Sequence, residues 1–255
     1  MSGVDQFAVL LVLAMVRFAP LLMVPAFGML SWIPGSIRGV VIVALGLIAV
    51  GGTTTLPAAV ADIDAPVQLV LALGGEALVG LSFSLALVLP SAALDLGARM
   101  VDLQSGVAAA TLFNPVMHAT ESLFGTLIQW TGMVTFFSLG LHLIVLRGIA
   151  ASTTLVPLGA GRLLMQPATF LGLLSSQFLL GLMVVLPVML GLFALDLGAA
   201  YASRSMPQAN IYFVVLPLKL LASLLLLSAS VRFAPALIER LYRDGFAAMH
   251  LAGAY

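Results

Sequence analysis

"FLGLLSSQFLLGLMVVLPVMLGLFAL", residues 170–195, decides what kind of protein this is. The run carries no charged side chain. As a straight helix it would extend roughly 39 Å at about 1.5 Å per residue. A bilayer hydrocarbon core is only about 30 Å thick. The segment must therefore tilt, kink at Pro187, or leave the bilayer in part.

The rest of the chain has the same character. Of its 255 residues, 62% are hydrophobic and 8% are charged, and the mean hydropathy is +1.20. That leaves too little polar surface to cover a water-facing body. About six apolar segments can be drawn, each near the ~20 residues that a span requires: Phe7–Met29, Val40–Leu56, Val67–Leu89, Thr126–Leu146, Phe170–Leu195 and Ile211–Val231. No boundary between them has the composition of a flexible linker. The expected fold is all-α, a polytopic helical membrane protein with kinked helices and one domain over 1–255.

Ten Lys+Arg balance ten Asp+Glu, so the chain has no nucleic-acid footprint. With no Cys, disulfides and thiolate metal sites are excluded. The start, "MSGVDQFAVLL", has neither a basic n-region nor a clear small-residue cleavage site, so a removed signal peptide is not expected. With six spans, five Arg (147, 162, 232, 240, 243) fall on the N-terminal side and three (38, 99, 204) on the other. This weak bias favours cytoplasmic termini. "VRFAP" occurs at 16–20 and at 231–235, but the flanks do not continue the match, and no inverted repeat is inferred.

Three charges interrupt apolar segments: Arg17 in "VLAMVRFAPLLMVP", Glu76 in "LGGEALVG" and Lys219 in "LPLKLLASLL". A charge at membrane depth needs a partner or water. Pairing or snorkelling within the bundle answers that need, and so does burial against other subunits. Pro20, Pro25, Pro34, Pro187 and Pro217 each remove a backbone donor. Such backbone persists at membrane depth only where protein or water covers the freed carbonyls.

Catalytic and metal motifs are absent. His118, His142 and His250 match no metal spacing, and there is no HExxH or Walker loop. Ser105 lacks the setting of a nucleophile, although His142 follows on a later segment. No cofactor is expected. Asp95, Arg99 and Asp102 lie at i, i+4 and i+7, one helical face, and read as a mutually satisfied charged face.

In "DLQSGVAAATLFNP", 102–115, side chains shrink to Gly, Ala and Thr before stopping at Asn-Pro. Small residues suit close backbone packing or a narrow lumen.

Three stretches resemble the FliR family. "VRFAPLLMVPAFGMLSWIPGSIRGVVIVAL" (16–45) is similar to the family's opening, with Arg17, Pro25, Pro34 and Arg38 in place. "LDLGARMVDLQSGVAAATLFNP" (94–115) is similar to its central stretch, with Asn114 where an acid is usual. "SRSMPQANIYFVVLPLKLL" (203–221) resembles its late motif through Arg204, Pro207, Gln208, Asn210, Pro217 and Lys219. The resemblance implies a structural and gating subunit of the flagellar type III export channel, in the inner membrane at the basal body. It would co-assemble with FliP-type and FliQ-type subunits and a FlhB-type subunit, and pass unfolded flagellar proteins. The resemblance further implies that 106–122 plugs the pore, through Gly106, Val107, Ala108, Ala109, Ala110, Thr111, Leu112, Phe113, Asn114 and Pro115. Arg17, Arg38, Glu76, Arg204, Pro207, Gln208, Asn210 and Lys219 would serve assembly. A small-residue packing face is the alternative for 106–115. A virulence type III gate, or a secondary transporter of a small solute, is the alternative for the whole.

Overall fold

The computed structural model describes residues 3–24, 33–52, 60, 65–107, 123–160, 167–206 and 210–247. Among them are eight helices and no strand: α1 (Gly3–Met23), α2 (Gly35–Gly51), α3 (Pro66–Ser105), α4 (Leu123–Ser138), α5 (Leu141–Leu155), α6 (Pro167–Ser205), α7 (Ile211–Ser230) and α8 (Ala234–Ala247). The all-α expectation holds.

The spans differ from the apolar segments in instructive ways. By length and composition, α1, α3, α6 and α7 can each cross a membrane, and a fifth span results if α4 and α5 count as one. The Thr126–Leu146 segment is not a straight helix: α4 and α5 are bent by 65°. Gly140 lies at the bend with φ +68°, a conformation that side chains with a Cβ rarely adopt. The Val67–Leu89 segment continues through Pro90 to Ser105 as one 40-residue helix. The polar residues that end its apolar run find partners without ending the helix. The Val40–Leu56 segment corresponds to α2, only 17 residues long.

Contacts gather into two compact units. The first comprises 1–89, 140–174 and 242–255, and the second comprises 90–139 and 175–241. In the first, α1 buries Leu10, Leu13, Ala14, Arg17 and Phe18, at i, i+3, i+4, i+7 and i+8. Its core joins Leu10, Leu13, Ala14 and Phe18 to Val50, Ala72, Ile149 and Leu158. On α3, Ala72, Glu76, Val79 and Phe83 are buried on one face. Gly80 lies so close to α1 that an added Cβ would sit 2.1 Å from the Arg17 carbonyl oxygen. Small size at this position sets the approach of the two backbones.

In the second unit, α3 and α6 meet in the same manner. A Cβ on Gly181 would lie 2.7 Å from the Ala93 carbonyl, and one on Gly97 would lie 3.1 Å from the Val185 side chain. α4 buries Phe124, Ile128, Gly132, Thr135 and Phe136. α7 is mostly uncovered: Phe213, Val214, Leu218, Leu221 and Leu225 are all exposed. A long apolar face of this kind suits lipid or a neighbouring protein.

Candidate functional site

Arg17 and Glu76 are brought together in the first unit, 59 residues apart in sequence and both with side chains 0% exposed. The pair is bidentate, with Nε to Oε2 at 2.5 Å and Nη2 to Oε1 at 3.0 Å. Arg17 Nη1 also donates to the carbonyls of Ser152 (3.0 Å) and Val156 (2.8 Å), and Nη2 donates to that of Pro157 (3.5 Å). A guanidinium has five N–H donors, and here each has an acceptor. Glu76 Oε1 accepts a further bond from the Gly159 N–H, at 2.9 Å.

This arrangement explains a charge at membrane depth. The last carbonyls of a helix tend to lack intrahelical donors. Arg17 takes that of Val156, just past α5, and shares that of Ser152, in the last turn, with the Val156 N–H. A cation there also faces the negative end of the helix dipole. The ion pair fastens α1 and α3 to the end of α5. Of the two covers open to these charges, their own chain supplies it.

Lys219 has an equivalent but wetter solution in the second unit. Its ammonium pairs with Asp196 on α6 and donates to the Gln104 carbonyl at 3.2 Å. The Lys219 side chain is 16% exposed and that of Asp196 is 41% exposed. Gln104 Nε2 donates to the Met189 carbonyl at 3.1 Å, tying α3 to α6.

The Asp95, Arg99 and Asp102 face does more than satisfy itself. Arg99 Nε donates to Asp95 Oδ2 at 2.8 Å, as the i, i+4 spacing implies. Asp95 Oδ1, however, accepts from Gln129 Nε2 at 3.1 Å, and Asp102 Oδ1 accepts from the Phe124 N–H at 3.1 Å. Both carboxylates therefore bridge α3 to α4, in the register of an antiparallel hairpin. Sequence reasoning missed this role. The signal was the i, i+7 spacing of two carboxylates before a segment of opposite direction.

The remaining site residues are dispersed. Arg38 is half-buried on α2, with Nη1 3.5 Å from the Met23 carbonyl. Arg204 is exposed in the last turn of α6, where a cation complements the helix dipole. Asn210 is the N-cap of α7 but makes no side-chain capping bond. Its backbone, at φ −77° and ψ 78°, departs from the extended conformation of a capping residue. Gly106 turns the chain at the end of α3 with φ +83°, and Val107 donates its N–H to Ser105 Oγ at 3.5 Å. Ala108–Pro115, Pro25, Pro207, Gln208, His118 and His250 lie outside the described residues. Ser105 Oγ donates to the Asp102 carbonyl at 3.1 Å, a helix-end role. Among the described residues no cluster of His, Asp or Glu could hold a metal. On α8, outside the spans, burial pushes the Tyr242 phenol above the usual tyrosine range.

Fold and site together define an all-α, multi-pass membrane protein in which embedded charges fasten helices to one another. The profile of "Bacterial export proteins, family 1" matches residues 8–245, and the chain belongs to that family. It is 27% identical to flagellar biosynthetic protein FliR of Aquifex aeolicus over 243 residues, 95% of this chain and 93% of the relative. It is 28% identical to the FliR of Bacillus subtilis over 156 residues, 60% of each chain. It is 30% identical to Yop proteins translocation protein T of Yersinia pestis over 173 residues, 65% of this chain and 64% of the relative.

Proposed function

We propose that the chain is a structural, non-catalytic subunit of the flagellar type III export gate in the bacterial inner membrane. It assembles with FliP-type, FliQ-type and FlhB-type subunits and passes unfolded flagellar proteins. The observation that carries this is the family match over 8–245, joined by near full-length similarity to a protein named for flagellar biosynthesis. The uncovered apolar face of α7 supports it, because a gate subunit needs surfaces for its neighbours. The solute-transporter alternative loses its motivation, since Arg17 and Glu76 are fully occupied by each other and by backbone. Within this reading, residues 106–122 obstruct the closed pore. A virulence gate is the second reading, favoured by the similarity to the Yersinia translocation protein.

The test is deletion of the gene in its own bacterium. Loss of motility and of secreted hook and filament proteins is expected, restored by the intact gene. Intact motility with lost effector secretion selects the virulence reading, and intact export of both kinds overturns the proposal. Complementation with a chain lacking 108–112 examines the plug. Assembled complex with raised small-ion leakage is expected; lost assembly, or assembly without leak, removes it.

A further inference from the structure

The ends of α3 and α4, which flank 106–122, are each held by a charge of the favourable sign from a residue outside that end. At the start of α4, Asp102 Oδ1 accepts the Phe124 N–H, an amide of the first turn with no intrahelical acceptor. An anion there also complements the positive end of the helix dipole. At the end of α3, the last carbonyls find three different donors. The Asp102 carbonyl takes Ser105 Oγ (3.1 Å), that of Leu103 takes the Gly106 N–H (3.4 Å), and that of Gln104 takes Lys219 Nζ (3.2 Å). A cation at this end is again the favourable sign.

The holding groups are themselves held. Asp102 is 6% exposed and Phe124 is fully buried, so water competes poorly for their bond. Lys219 is oriented by Asp196. Gln104 is tied to α6 through the Met189 carbonyl. One turn before Lys219 on α7, Leu216 packs against the exit turn: a Cβ on Gly106 would lie 3.1 Å from Leu216 Cδ1. Gly106 is thus constrained twice, by its positive φ and by this neighbour.

We propose that Asp102 and Lys219 are positioning residues that clamp the two stems flanking 106–122. Asp102 closes the base of the α3–α4 hairpin, and Lys219 fixes the exit from α3. The clamp stands on the geometry of the stems alone. Its consequence, that the stems stay fixed whatever the intervening stretch does during export, rests on the pore-obstruction reading above.

The experiment measures the stems directly in the assembled complex. The chain has no Cys, so spin labels at Leu103→Cys and Leu123→Cys, both exposed positions, report the stem separation against the unlabelled parent as background. The parent should give one narrow distance distribution. Asp102→Ala and Lys219→Met should each broaden it, Asp102→Ala the more. Asp102→Asn, which keeps an acceptor, and Lys219→Arg, which keeps a donor, should restore most of the narrowness. An unchanged distribution in both Asp102→Ala and Lys219→Met overturns the clamp. If Asp102→Ala does not assemble, Lys219→Met decides, and an unchanged distribution in it overturns the clamp equally. Resting ion leakage, measured in the same variants, tests the other reading. Loosened stems with no added leak leave the clamp standing and remove the pore-obstruction reading; narrow stems remove the clamp whatever the leak.

Discussion

The five residues "VRFAP" occur twice, and the two copies have opposite fates. At 16–20 they lie inside α1, with Arg17 1% exposed and Phe18 3% exposed. At 231–235 they form the corner between α7 and α8, with Arg232 exposed and Phe233 70% exposed. Even the proline changes role. Pro20 removes a donor from the body of a helix, whereas Pro235 is in the first turn of α8, where that donor would have no helical partner. Nothing within the pentapeptide separates the two. The difference is Glu76 and the end of α5, which accept all five guanidinium protons of Arg17. An arginine enters an apolar interior only where acceptors for every donor are already in place.

Breaking that condition should have the largest effect. Glu76→Ala leaves a buried guanidinium without its counter-charge, and a cost of about 3–5 kcal/mol is expected. The measurements are the steady-state level of the chain in membranes and the thermal stability of the complex. The double variant Arg17→Met with Glu76→Leu should recover only part of the loss. The carbonyls of Ser152, Val156 and Pro157 and the Gly159 N–H would then lose their side-chain partners. Wild-type stability in Glu76→Ala would show that the first copy is not held by this pair.

The phenylalanines sharpen the comparison. Phe18→Ala should destabilise by about 3–4 kcal/mol through a cavity in the core of the first unit. Phe233→Ala should change the stability of the chain by less than about 0.5 kcal/mol. Equal losses in the two would mean that Phe233 is covered in the assembly, and would place the corner at an interface. The smallest effect belongs to Arg232→Ala, within about 0.5 kcal/mol, because a surface guanidinium keeps its hydration in both states. A thermal shift of the complex as large as that of Glu76→Ala would erase the contrast.

Much of this architecture was legible beforehand. The apolar runs located α7 closely and the bodies of α1 and α6, although α1 stops at Met23 and α6 continues to Ser205, because a helix in lipid must satisfy its own backbone and so needs length and hydrophobicity alone. The late motif marked Lys219, and the interruption of an apolar run marked Arg17 and Glu76. Their pairing was not legible, since 59 residues separate the partners and three of the five acceptors of Arg17 are backbone carbonyls that any sequence possesses. The bend at Gly140 was hidden for a related reason. Twenty-four glycines occur in the chain, and only the surrounding packing selects which of them takes a positive φ.

By itself the sequence determined the class: an all-α membrane chain, its main spans and its family, all written in composition, period and short motifs. Only the tertiary structure decided what the embedded charges do. It assigned Glu76 and the α5 terminus to Arg17, Asp196 and the Gln104 carbonyl to Lys219, and the first turn of α4 to Asp102. The physical reason is that apolar burial is non-directional and additive along a segment, so it can be read locally. A buried charge is tolerated only through directed bonds to particular atoms, and those atoms become neighbours only when distant segments have packed.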